Sequence, residues 1–107
     1  MKPSELVDRL NAANKVLQPF VWVMRATQTV QFYMNAGKWF MKTISVSDSR
    51  SHLWRVTLRP KYTHEGGGTM GSMEENFYFE SELDARDFPD IKSLTDIWLV
   101  DIDKPRG

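Results

Sequence analysis

Between Phe20 and Tyr62 the apolar residues recur at every second position, which is the repeat of a β-strand. Phe20, Trp22, Met24 and Ala26 share one face of a first expected strand (20–27), with Val21, Val23, Arg25 and Thr27 on the other. Bulk on both faces marks this strand as central. A second strand over 29–34 turns Val30, Phe32 and Met34 inward and Thr29, Gln31 and Tyr33 outward. Only a residue or two separates these runs, so they need a tight turn or bulge near 27–29, or else form one long bent strand. Asn35-Ala36-Gly37-Lys38 then reads as a hairpin turn, since Gly37 takes positive φ without strain.

A third strand over 39–46 places Phe40, Ile44 and Val46 on one side, interrupted by Lys42, and Trp39, Met41, Thr43 and Ser45 on the other. After a polar loop (47–51), a fourth strand over 52–59 alternates most cleanly. Trp54, Val56 and Leu58 face in, while Arg55, Thr57 and Arg59 face out, a row that Lys61 extends past Pro60. The whole stretch is rich in tryptophan and in Lys and Arg, and Asp48 is its one acidic residue. It reads as an aromatic, basic, antiparallel sheet.

The flanking segments complete the outline. Leu6, Leu10, Ala13 and Leu17 form a helical stripe, so a helix is expected over 4–17, capped by Ser4 and stopped by Pro19. Residues 63–75 form a loop carrying Gly66, Gly67, Gly68 and Gly71, in which Met70 and Met73 are adaptable apolar contacts. Phe77 and Phe79 face inward from a fifth strand (76–80). Ser81 caps a short helix through Leu83, Ala85 and Phe88 that ends before Pro89. Residues 90–95 make a turn or second helical piece. The apolar run of a last strand (96–102) reads as buried on both faces. The expected fold is α+β in the order α-β-β-β-β-β-α-β: an antiparallel sheet of five or six strands, an N-terminal helix and a short C-terminal helix. At 107 residues the chain is expected to be one domain, large enough to bury roughly two-thirds of its unfolded surface.

Composition narrows function by exclusion. With no cysteine, disulfides and cysteine-based zinc sites are out, and the cytoplasm is the default location. No signal peptide or membrane span is visible, so no membrane partner is expected. His52 and His64 would need recruited carboxylates to hold a metal. Asp101 and Asp103, about 7 Å apart on one strand face, head the paired carboxylates, but acid–base catalysis also needs a pocket. The glycine cluster lacks the lysine and Ser/Thr of a phosphate loop. No catalytic motif, cofactor site or metal site is expected, and the chain is read as non-enzymatic.

Charge supplies the positive expectation. Residues 1–64 carry ten basic and three acidic residues, a net +7, while residues 65–107 carry four basic and eleven acidic, a net −7. Either the halves fold against each other and pair, or they present opposite surfaces. The leading expectation is a protein-binding module, an adaptor or inhibitor working through charged faces on another protein or on a second copy as a homodimer. Small viral or mobile-element accessory proteins share this bare profile. The candidate surfaces are a basic-aromatic one (Arg25, Tyr33, Lys38, Trp39, Arg55, Arg59, Lys61) and an acidic one (Glu74, Glu75, Glu80, Glu82, Asp84, Asp87). The second expectation is single-stranded nucleic acid on the sheet, where aromatics stack bases and cations contact phosphates.

Overall fold

The computed structural model describes residues 1–24, 28–45, 50–61 and 74–106. The order is α1 (Pro3–Ala13), β1 (Phe20–Met24), β2 (Gln28–Asn35), β3 (Lys38–Ile44), β4 (Trp54–Pro60), β5 (Glu75–Phe79), α2 (Glu82–Asp87), a 3-10 turn (Phe88–Asp90), α3 (Lys92–Ile97) and β6 (Trp98–Asp103). All six strands join one antiparallel sheet in the order β3-β2-β1-β5-β4-β6. The expected α+β class and element order are therefore found, with β1 central.

The antiparallel register sorts the side chains into two layers. Even-numbered residues of β1, β2, β4 and β6 share one face with odd-numbered residues of β3 and β5, because Phe32 pairs with Phe20 and Met41, and Phe77 with Trp22 and Val56. That face holds the core, where Phe20, Trp22, Phe32, Trp39, Val56, Leu58, Phe77 and Phe79 meet Leu6, Leu10, Ala85, Phe88, Ile91 and Leu94 from the helical segments. Phe20 stacks on Phe32 and Phe79 at centroid distances of 5.1 and 4.7 Å, and Phe88 packs against Phe20, Phe77 and Phe79. The outer face carries the other alternate residues, among them Tyr33, Phe40, Lys42, Arg55, Arg59, Tyr78 and Asp103.

Several boundaries differ from the sequence reading, each for a local reason. Helix α1 begins at Pro3, whose missing N–H costs nothing in a first turn; Lys2 is the N-cap residue, with no side-chain cap, and Ser4 lies inside. It ends at Asn14, which takes the left-handed conformation (φ 53°) and sends its N–H back to the Asn11 and Leu10 carbonyls. Pro19 is not the stop, and Ala13 is exposed, although Leu17 still reaches the core.

Strands β1 and β2 are separate antiparallel neighbours, with Met24 opposite Gln28, so the single bent strand is excluded. Arg25, Ala26 and Thr27 lie outside the described residues, as do Met70 and Met73 of the glycine-rich loop. Glu75, read as loop, opens β5. His52 sits in an exposed turn before β4. Ser81 caps α2 as expected, its Oγ accepting from the Asp84 N–H at 3.1 Å. That helix ends before Pro89 as expected, at Asp87, and Phe88 falls with Pro89 in the 3-10 turn that follows.

The largest difference is β6. Its apolar run predicts burial on both faces, yet it is an edge strand with alternating exposure. The apolar run is shared between two elements: α3 takes Ile97, and within β6 Trp98, Val100 and Ile102 pack on the core while Leu99 faces out.

Candidate binding surfaces

The outer face is built row by row. Register sets Lys42, Gln31, Val21, Tyr78, Arg55 and Asp103 side by side across all six strands. The next row runs Ile44, Thr29, Val23, Asn76, Thr57, Asp101. Because β6 lies against β4, its two aspartates reach the arginines of the basic row. Arg55 donates from Nε and Nη2 to Asp103 Oδ2 at 3.2 and 2.6 Å. That hydrogen bond is the main cause holding the Asp103 carboxyl below its ordinary value and the Arg55 guanidinium above its own. Arg59 lies 2.9 Å from Asp101 and 3.3 Å from Glu74. Thr57 is buried in the same row and donates to Asn76 Oδ1. Two of the expected basic residues are thus already matched by acids of the other half of the chain.

The other expected basic-aromatic residues do not form one patch. Trp39 is 2% exposed, its indole N–H donating to the Lys15 carbonyl at 2.7 Å, so it offers no stacking surface. Tyr33 is half-buried and stacks on Phe40, with Lys42 Nζ 5.5 Å from its ring centre. Lys38 is exposed at the start of β3 and Lys61 just after β4, strands separated by β2, β1 and β5 in the sheet order. Arg25 lies outside the described residues.

The six acidic residues fall into two groups, Glu74 and Glu75 at the start of β5 and the other four on and beside α2. Asp87 meets Lys15 Nζ at 2.8 Å, and Asp84 Oδ2 accepts from the Gln18 N–H at 3.2 Å, so α2 fastens the segment between α1 and β1. Glu82 pairs with Arg86 one turn on, and Glu74 with Arg59. Glu75 points to the core side, where burial raises its carboxyl above the ordinary value against the opposing pull of the Met1 ammonium. Glu80 is left exposed after β5. Five of these six acids have a partner, and Glu80, Glu82, Asp84 and Asp87 lie together on and beside α2, apart from Glu74 and Glu75 at the start of β5.

Two other features concentrate binding potential, and both were missed in the sequence. The first is the outer edge of β3. Asn35 and Lys38 flank the two-residue turn Ala36–Gly37 and pair directly, so Lys38, Phe40, Lys42 and Ile44 direct their peptide groups to β2. Trp39, Met41 and Thr43 direct theirs away. Asn11 confirms the alternation: its Oδ1 accepts from the Trp39 N–H at 2.8 Å and its Nδ2 donates to the Trp39 carbonyl at 3.4 Å. An α1 side chain thereby makes the hydrogen bonds of a neighbouring strand at a position where, among the described residues, no strand lies. Met41 and Thr43 keep an exposed edge, with Phe40 (43% exposed) and Met41 (41%) on its two sides. In the sequence Asn11 is a polar residue off the helical stripe, and nothing there names a partner 28 positions away.

The second feature is a cavity of about 220 Å³ at the Tyr78–Arg55–Asp103 end of the outer face, walled also by Arg50, Lys104 and Arg106. An adjoining hollow shares Leu53 and Tyr78 with it.

Among the described residues no cluster of His, Asp and Glu is placed to hold a metal ion. No described helix is long and apolar enough to cross a membrane. Comparison with protein-family models, with curated proteins and with solved structures finds no match to this chain.

Proposed function

We propose that this chain is a non-enzymatic protein-binding module, an adaptor or inhibitor, that takes an extended segment of another protein along the outer edge of β3. The observation that carries the reading is the pair of outward peptide groups at Met41 and Thr43, with Phe40 and Met41 exposed beside them. An incoming strand gains main-chain hydrogen bonds from such an edge, and flanking apolar side chains give it specificity. Lys38 and Lys42 stand on the strand with no acid among its residues, which favours an acidic segment. A second copy is the other occupant of this class, and two-fold pairing there would set Lys42 near its own equivalent. That repulsion favours a different protein over the homodimer. A cytoplasmic location is proposed with it, on composition alone.

The test is a selection of linear peptides, with binding mapped by amide chemical shifts. Peptides that perturb residues 38–44 and are lost on Met41→Pro support the proposal. Proline is tolerated at an edge position whose N–H faces solvent, so this change removes a donor to the partner and not a bond to β2. Absence of binders, or binders that map elsewhere and ignore Met41→Pro, overturns it.

The second reading, single-stranded nucleic acid on the outer face, is favoured by two basic-aromatic contacts, Lys42 over Tyr33 and Arg50 over Tyr78. Its signature is oligonucleotide affinity that falls steeply with salt. No binding at low salt removes it.

A further inference from the structure

We propose that the cavity between Arg55, Tyr78 and Arg106 is an oxyanion site for the phosphate group of a phosphomonoester. The site is independent of the β3 edge, lying across the sheet from it.

Its construction begins with the chain's last described residues. After β6, the Arg106 N–H donates to the Ser51 carbonyl at 2.6 Å. That bond ties the segment after Asp103 to the turn before β4, so Lys104 and Arg106 border the same hollow as Arg55. The cavity, about 220 Å³, has the liquid volume of about seven waters, enough for a phosphate group and part of the body that carries it.

Charge then selects the ligand class. Arg55 is already matched by Asp103. Lys104 and Arg106 add two cations with no ion-pair partner among the described residues, which leaves a surplus of two without counting Arg50. Drawing like charges around one hollow is unfavourable until a counter-charge enters. A single carboxylate would duplicate Asp103 and leave one cation over. A phosphomonoester carries about −1.5 to −2 near neutral pH and has three acceptor oxygens, which matches the surplus. The Tyr78 ring forms a wall, with the Arg50 guanidinium 5.9 Å from its centre, so a planar or sugar-sized body has an amphipathic surface to lie on. The phosphate has two sources, a free phosphorylated metabolite or a phosphorylated side chain.

The experiment titrates the isotope-labelled chain at low ionic strength with inorganic phosphate, a 5′-mononucleotide, a phosphoserine peptide and acetate. The expected result is saturable shifts at Ser51, Tyr78 and 103–106 with phosphate, weaker or absent with acetate. A tighter response to the mononucleotide assigns a metabolite as the source, and a tighter response to the peptide assigns a protein. The Lys104→Glu, Arg106→Glu variant should bind at least about tenfold more weakly, the scale of losing one or two charge-assisted hydrogen bonds. Both positions are exposed, so its circular dichroism should match the parent's. No saturable shift with any phosphate, acetate binding as tight as phosphate, or an unchanged response in the double variant overturns the proposal.

Discussion

Replacing Asn11 with alanine tests how the edge of the sheet is managed. The change removes two hydrogen bonds to the Trp39 peptide, one at 2.8 Å and one at 3.4 Å. A typical intramolecular hydrogen bond contributes about 0.5–1.5 kcal/mol net; with the longer bond weighted low, the loss is about 1–2 kcal/mol. Position 11 is inside α1, where alanine is the better helix former by about half a kcal/mol. The net destabilisation is therefore about 0.5–1.5 kcal/mol. For a domain of this size each kcal/mol moves the midpoint by roughly 4–8 °C, so a fall of about 2–12 °C is expected. Urea unfolding measures the free energy directly, with the slope unchanged because little buried surface is lost. The Trp39 amide should exchange faster, while the Trp39 side chain stays in place through its bond to the Lys15 carbonyl. A variant as stable as the parent, with the Trp39 amide still protected, would refute the claim that Asn11 stands in for a strand.

Two further predictions concern the core and the charged rows. Phe88→Ala empties a fully buried site bordered by Phe20, Phe77 and Phe79, and should cost about 3–5 kcal/mol in chemical denaturation. Asp103→Asn should destabilise the chain at neutral pH, and the gap from the parent should close in acid. The folded carboxyl sits below its ordinary value of 3.8 because of Arg55, so its contribution is present above that value and is lost as pH falls through the folded one. A gap that stays constant from neutral pH to strong acid would contradict this assignment.

Much of the fold could be read from the chain, because each strand states its own alternation. Trp54, Val56 and Leu58 face in as their spacing requires, and Ser81 caps its helix through a contact only three residues long. What could not be read depends on which strands are neighbours. The row Arg55, Thr57, Arg59 looked like a polyanion surface until β6 was placed beside β4 and supplied Asp103 and Asp101. Trp39, a candidate surface residue beside the hairpin, is buried, its indole N–H donating to the Lys15 carbonyl 24 positions earlier. Asn14 ended α1 early because asparagine enters the left-handed region at little cost, a choice that competes with the more obvious Pro19. The charge split is thus met in part by internal pairing: Lys15 with Asp87, Arg55 with Asp103, and Arg59 with Asp101 and Glu74.

The edge of β3 is open at Met41 and Thr43, and native-state amide exchange of the free chain tests this without a partner in hand. The Phe40 and Lys42 amides, bonded to β2, and the Trp39 amide, bonded to Asn11, should be protected. The Met41 and Thr43 amides should exchange nearly as fast as in an unstructured chain. Protection of Met41 and Thr43 equal to that of Phe40 and Lys42 would mean that the edge is already paired, and would contradict the proposed binding mode.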